Sequence, residues 1–356
     1  MNAAFSPTPD IVLRTPGQGL ALRLPLRGLL AVGILLAVLC GVFALSMTIG
    51  SYDIDLKTLL ATLSGNTVSA AIDNVVWQFR MPRALAAIMA GAMMALSGGA
   101  LQNVTRNGLA DPSLIGISQG AALAVVFAII VAPDLASGLR PVLAFFGALG
   151  VAAIVQGLSV QRQGSSPIRF ILLGIGVSAF FSSITSAMLT YGDIDRAMSA
   201  LSWLAGSVNA ATWSDVHILL AWCVVLTPLI LALSRTMSVL RMGEATATSL
   251  GAPVRWARYG LIAVGVGFAA AATAIVGPIG FVGLIAPHAA RRIARTGLGL
   301  HTVLTALCGA FLVAAADLLG RSLFAPIQIP AGLLTAIIGV PIFVYLLHRA
   351  ASRSHL

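Results

Sequence analysis

Apolar runs close to twenty residues long, parted by short polar or arginine-bearing stretches, set the pattern of this chain. A bilayer-spanning helix needs about 20 mostly apolar residues. On that ruler the sequence predicts ten spans, at about 28–49, 82–103, 113–132, 139–159, 168–191, 215–234, 258–277, 279–294, 302–322 and 331–348. The third and eighth are short or interrupted by Gly and Pro, which predicts kinked or only partly spanning helices. Two intervening stretches have a pattern of their own. Residues 50–81 place Ile54, Leu56, Leu59, Leu60 and Leu63 near helical spacing, and residues 193–213 hold Trp203 and Trp213 among small residues. Both suit the membrane interface, where an apolar ring keeps its polar tip wet. Small residues crowd the spans, as in Gly91, Ala92, Ala95, Gly98 and Gly99, and predict close helix contact in lipid.

Composition agrees. Hydrophobic residues make up 58% and charged residues 9%, against about a quarter charged in an ordinary soluble domain. The net charge of +10 is carried by scattered arginines beside apolar runs, with Lys57 the single lysine, which argues against nucleic-acid binding. With the N-terminus in the cytoplasm, fifteen of the 21 basic residues fall inside and six outside, the bias expected of membrane topology. Asp53, Asp55, Asp73, Asp134, Asp193, Asp195 and Asp215 fall outside. The first apolar run is longer than the ~7–15 residues of a signal peptide and is expected to stay as the first span. The reading is an all-α polytopic membrane protein of about ten transmembrane helices. It is expected to have a cytoplasmic tail over 1–27, a ten-helix membrane domain over 28–348 and a cytoplasmic tail over 349–356. Cys40, Cys223 and Cys308 lie inside apolar runs with neither disulfide nor zinc spacing.

Several chemistries drop out. A phosphate-binding loop of the GxxxxGK[ST] kind needs a lysine in a glycine frame, and Lys57 sits in LKTLL. Gly116-Ile117-Ser118-Gln119-Gly120 reads GxSxG, but it opens a membrane helix with no His–Asp pair evidently placed to serve Ser118; helix-start glycines explain it better. An ion-coupled transporter usually carries ionisable groups within its spans, and only Asp317 and His288 qualify; both equally suit structural roles. No catalytic residue and no metal site is expected.

Several strings resemble the FecCD-type permeases of iron–siderophore and cobalamin importers. They begin with Trp77-Gln78-Phe79-Arg80-Met81-Pro82-Arg83 and Ser97-Gly98-Gly99-Ala100-Leu101-Gln102. Next come Arg106-Asn107-Gly108-Leu109-Ala110-Asp111-Pro112, with glycine where the family usually has proline, and Leu114 to Ala121. Trp203-Leu204-Ala205-Gly206-Ser207, Met242-Gly243-Glu244-Ala245 with Leu250-Gly251, and Gly277-Pro278 to Pro287-His288 with Arg291-Arg292 follow in order. Ala316-Asp317 with Arg321 and Ile329-Pro330-Ala331-Gly332 complete the set, which covers about residues 50–345.

The resemblance implies a type II ABC importer permease fold in the bacterial inner membrane, paired with a second permease subunit. It also implies two cytoplasmic ATP-binding subunits, which hold ATP and Mg, and a periplasmic siderophore-binding protein; this chain itself binds no cofactor. Residues 236–256 match the coupling segment that meets the ATPase, with Met242, Gly243, Glu244, Leu250 and Gly251 as its marked positions. Arg80, Arg83 and Arg321 match positions that dock acidic residues of the binding protein, against the plainer reading of lipid-phosphate anchors. Gln102, Asn107, Asp111, Pro112, Ser118, Pro287 and His288 are motif positions of pathway or structural use. Gln328 stands where many relatives have glutamate, and with 306–310 and Phe324-Ala325-Pro326 it leans toward catecholate, enterobactin-type permeases. Cobalamin or haem as cargo, and an ion-driven secondary transporter, remain the alternatives.

Overall fold

The computed structural model describes residues 10–14, 21–50, 53–66, 69–133, 137–159, 167–240, 244–249, 253–294, 296–323 and 326–354. All ten expected spans appear as helices. They are α1 (Leu26–Thr48), α4 (Met81–Thr105), α5 (Ile117–Ile130), α6 (Arg140–Ser159), α7 (Pro167–Tyr191), α9 (Trp213–Leu240), α11 (Val254–Val276), α12 (Val282–Ile293), α13 (Leu298–Ser322) and α14 (Ala331–Ser354). Four shorter helices lie between them: α2 (Leu56–Leu63), α3 (Ala70–Asn74), α8 (Ile194–Leu204) and α10 (Glu244–Ser249). Seven of the long helices are long and apolar enough to cross a bilayer, the second of them extended through residues 70–105 by α3 and a π-helical stretch, Val75–Arg80.

The two doubtful spans are the short ones. With 14 residues in α5 and 12 in α12, at 1.5 Å per residue, they reach about 21 and 18 Å, less than the roughly 30 Å of a hydrocarbon core. Each begins at a break that the sequence marks. Gly116 adopts φ 90° before α5, where a side chain would also press on Val151. Gly277 adopts φ 72° after α11, and Phe281 takes φ 65° before α12, a costly conformation for a residue with a Cβ.

Surface helices form where the pattern placed them. α2 is N-capped by Asp55, whose carboxylate accepts from the Lys57 amide at 3.3 Å, and buries Leu59 beside Ile54. Asp193 caps α8 through the amides of Asp195 and Arg196. The tail departs from expectation: Asp10–Arg14 and Ala21–Pro25 pair as two antiparallel strands, Asp10 opposite Pro25, running directly into α1.

Burial sorts the bundle into a centre and a rim. The apolar stretches of α4 and α11 are 72% and 78% buried, those of α1 and α7 17% each. α4 contacts α13, α11, α12 and α9. It can do so because small residues let backbones meet: a methyl group on Gly98 would run into the carbonyl of Gly283 on α12, and one on Gly91 into that of Gly309 on α13. Gly120 and Gly147 join α5 to α6 in the same way. The rim instead exposes large apolar side chains, such as Ile34 on α1, Phe180 on α7 and Val224 on α9, which suits a lipid solvent. For orientation, the end of the bundle that holds the α1 C-terminus and the start of α4 is called the acidic end. The opposite end, with Arg106, Arg291 and Arg292, is called the arginine-rich end.

Candidate functional site

At the acidic end, five segments converge on one cleft: the end of α1, the turn into α4, α13, and the α8–α9 and α13–α14 connections. The turn into α4 brings Arg80 and Arg83 together, and Asp317 and Arg321 sit one turn apart on α13, on the same face. Arg83 grips Asp317 with Nη2 at 2.8 Å and Nε at 3.0 Å to both carboxylate oxygens. Its Nη1 donates to Asn209 Oδ1 at 2.6 Å and Gln328 Oε1 at 2.9 Å, tying in the α8–α9 and α13–α14 connections. Arg321 stands 3.8 Å from the same carboxylate and donates from Nη2 to the Ser46 carbonyl and, at 2.7 Å, to its hydroxyl. Arg80 donates to the carbonyls of Met47 and Thr48. The last turn of α1 holds no basic residue of its own; these two distant arginines satisfy carbonyls that a helix end leaves open.

All three expected docking arginines therefore line a single cleft of about 270 Å³. Arg80 and Arg321 are each only 6% exposed and committed to α1, because α1 needs them. Arg83 already uses most of its donors internally. Asp317, read from sequence as a lone ionisable group, is the carboxylate around which Arg83 and Arg321 gather. Asn209 and Ser46 carried no sequence signal, since their parts depend on contacts distant in the chain.

The arginine-rich end has a second constellation. Gln102, buried on α4, donates to the carbonyl of Gly283 at 3.1 Å and accepts from Arg291 Nη2 at 2.8 Å. Both partners belong to α12. Asn107 closes a turn by accepting from the Leu109 amide at 2.9 Å. Asp111 accepts from Ser113 at 2.9 Å and caps the short turn Pro112–Ile115. Burial pushes the Asp111 carboxyl up from its ordinary range, against hydrogen bonds from Ser113 and the Leu284 amide that pull it down. Gln102, Asn103, Arg106, Gly108 and Arg291 line a cleft of about 240 Å³ here. Ser118 is buried in the first turn of α5 behind Gly116, and Pro287 lies within α12 facing Gly99; His288 follows it on the same helix.

Three of the motif strings meet at backbone distance. The Ser207 amide donates to Val276 at 2.8 Å and the Gly332 amide to Gly206 at 2.9 Å. Side chains on Gly206, Gly277 or Gly332 would strike the carbonyls of Pro278, Trp203 or Ala205. The WLAGS, GPIGF and IPAG strings are thus one joint. Of the coupling positions, Met242, Gly243, Leu250 and Gly251 lie outside the described residues. Glu244 opens α10, which lies against α9 and α11 and buries Ala247. Phe324 and Ala325 also lie outside them.

Comparison with known proteins closes the argument. The chain is 39% identical over 281 residues to a Bacillus subtilis protein named as a probable siderophore transport system permease, YfhA, covering 77% of this chain and 82% of that one. It is 35% identical over 329 residues to the Fe(3+)-citrate import system permease protein YfmE of Bacillus subtilis, covering 92% and 97%. A solved metal-chelate type ABC transporter in an inward-facing conformation superposes with a TM-score of 0.79 at 28% identity, covering 90% of this chain and 99% of that chain. The model of the FecCD transport family matches residues 35–349. Members of that family are multi-pass permease subunits of ABC transporters, not enzymes, and separate subunits hydrolyse the ATP. This chain, from α1 to α14, belongs to the FecCD transport family.

Proposed function

We propose that this chain is the permease subunit of an ATP-driven importer that takes a ferric siderophore or similar iron chelate from a binding protein and passes it to the cytoplasm. The observation that carries the reading is a family match running unbroken from α1 to α14, with relatives named for siderophore and Fe(3+)-citrate transport. The chain does no covalent chemistry; the work of ATP enters through the segment around α10, with Glu244 at its start. The acidic end faces the binding protein in the periplasm, and both termini lie in the cytoplasm. A second permease subunit completes the pathway, along with two ATP-binding subunits.

Docking at the acidic end runs through the cleft rather than over an open rim. An acidic side chain of the binding protein reaches Arg83, whose fork suits carboxylates. A neutral Gln328 beside Arg83 leaves the mouth more positive than a glutamate would, which favours an anionic chelate. Catecholate cargo is the finer part of the proposal and rests on Gln328 and its neighbours alone.

The test is uptake in proteoliposomes holding the permease with its co-purifying subunits. Iron-chelate uptake should require ATP and the loaded binding protein, and should survive dissipation of ion gradients. Uptake that follows a proton or sodium gradient without ATP would overturn the reading in favour of a secondary transporter. Replacing Glu244 and Gly251 together should leave ATP hydrolysis running while uptake falls; intact uptake would remove the coupling role.

A further inference from the structure

The strand pair ahead of α1 lies outside the family match, which begins at residue 35. Its register sorts its residues by face. Directly opposed residues of an antiparallel pair share a face, and successive residues along a strand alternate. Ile11 opposite Leu24 and Leu13 opposite Leu22 therefore fall on one face. Asp10 opposite Pro25, Val12 opposite Arg23 and Arg14 opposite Ala21 fall on the other. One face is wholly aliphatic, and the other takes every charged residue of both strands. Val12 blurs the alternation in the first strand, and only the pairing makes the division complete.

A two-stranded hairpin is marginal in water unless its apolar face packs on something. Among the described residues, no element other than α1 makes a substantial contact with either strand. The place of the pair says what lies beneath it. The second strand ends at Pro25 and α1 starts at Leu26, with no linker between them. Gly28 lies against Leu300 at the arginine-rich end, and the helix then exposes Leu30 and Ile34 along the lipid-facing rim. The hairpin is thus held at the bilayer surface. Arg14, Arg23 and Arg27 outnumber the one acid, Asp10, over residues 10–27, and basic segments beside a span are drawn to the anionic cytoplasmic leaflet. Strands of five residues are too short to cross, since a crossing strand needs about 9–11. Their open edges also need water or headgroups for the backbone.

We propose that the strand pair is a membrane-surface anchor, with its Ile11, Leu13, Leu22 and Leu24 face seated in the headgroup region of the cytoplasmic leaflet on anionic phospholipid. The choice of leaflet rests on the importer reading, which puts the N-terminus in the cytoplasm. The arginines of the opposite face stay within the field of the surface charge, which reaches about 8 Å at physiological salt. So seated, the pair fixes the depth of Leu26 and with it the entry of α1. That helix has few buried residues of its own to set its depth: Gly28, Ala31, Leu39, Ser46 and Met47.

The test uses the full-length permease with its partner subunits in nanodiscs of phosphatidylethanolamine and phosphatidylglycerol. Cys40→Ala, Cys223→Ala and Cys308→Ala clear the background. Ile11→Cys, Leu13→Cys, Leu22→Cys and Leu24→Cys then carry an environment-sensitive fluorophore one at a time, as do Val12→Cys and Ala21→Cys on the opposite face. Nitroxide-bearing lipids should quench the first four roughly twofold or more above the other two, following the two-residue period of a strand. Equal quenching at all six positions would overturn the proposal. So would shielding of the first four that needs the ATP-binding subunits and not the lipid, because the cover would then be protein. Arg14→Gln with Arg23→Gln should lower the ratio of seated to free hairpin by roughly tenfold, as should discs of phosphatidylcholine alone. Unchanged quenching in both would overturn the role of anionic lipid. If an impermeant thiol reagent reaches Val12→Cys from outside intact spheroplasts, the choice of leaflet and the cytoplasmic N-terminus fall together. ATP-driven uptake by the same preparation reports separately on the importer reading.

Discussion

Arginine pins α4 at both of its ends, and the two pins are built differently. At the acidic end Arg83 meets a carboxylate, Asp317, through a forked contact largely out of water. At the arginine-rich end Arg291 meets a neutral amide, Gln102, through one hydrogen bond of 2.8 Å. The first pin pairs opposite charges between α4 and α13; the second joins α4 to α12 through a neutral amide. The half-length α12 is therefore held by bonds that can exchange at modest cost, and the full-length α13 by an ion pair that cannot lose one partner cheaply. For a protein whose task is to change access, that asymmetry puts the rigid joint at one end and the adjustable joint at the other.

The largest effect should come from removing the carboxylate. Asp317→Ala strands Arg83 and Arg321 without their shared partner, and breaking a buried pair in this way typically costs about 3–5 kcal/mol. Thermal unfolding of the purified permease should show a large drop, with poor recovery from the membrane. The double replacement Arg83→Met with Asp317→Leu removes the charges of that pair but leaves Arg321 buried without its carboxylate, so it should recover only part of the loss. A single mutant within about 1 kcal/mol of wild type would mean the pin is loose.

A smaller cost is expected at the other end. Gln102→Ala takes an acceptor from Arg291 and a donor from the Gly283 carbonyl, and a hydrogen bond to a charged group is worth about 1.5–3 kcal/mol. The same unfolding measurement should rank it clearly below Asp317→Ala. If the two prove equal, the contrast between rigid and adjustable joints fails. If Gln102→Ala also speeds or slows uptake without changing ATP hydrolysis, the adjustable joint belongs to the gating motion.

The contrast also marks how far the sequence could be read. The ten helices were legible because lipid demands about 20 apolar residues per crossing, and even the two short ones were flagged by Gly116 and by the Gly277–Pro278 break. The motif positions were legible too, as strings, but not their partners. Nothing in the local pattern says that Arg80 and Arg321 close the end of α1, or that Asn209 meets Arg83, since these pairings join residues far apart in the chain. The docking reading of Arg80, Arg83 and Arg321 came from the family resemblance, which gives positions in the chain and says nothing of depth. The strand pair at 10–25 was missed because tail residues carry no periodicity strong enough to announce it.

The smallest effect, and the one of opposite sign, is expected at Arg106. This residue ends α4 in the left-handed region, at φ 51° and ψ 27°, with its side chain exposed. Glycine is the usual occupant of such a position because it has no Cβ to crowd the backbone. Arg106→Gly should therefore stabilise the permease by roughly 0.5–1 kcal/mol, or leave it unchanged, when unfolding is measured as above. An arginine kept where glycine would be easier points to use for its charge, and Arg106 lines the 240 Å³ cleft beside Arg291. Uptake of an anionic chelate should then fall while stability rises. A loss of stability instead would make Arg106 a third structural pin, and the arginine-rich end would no longer differ in kind from the acidic one.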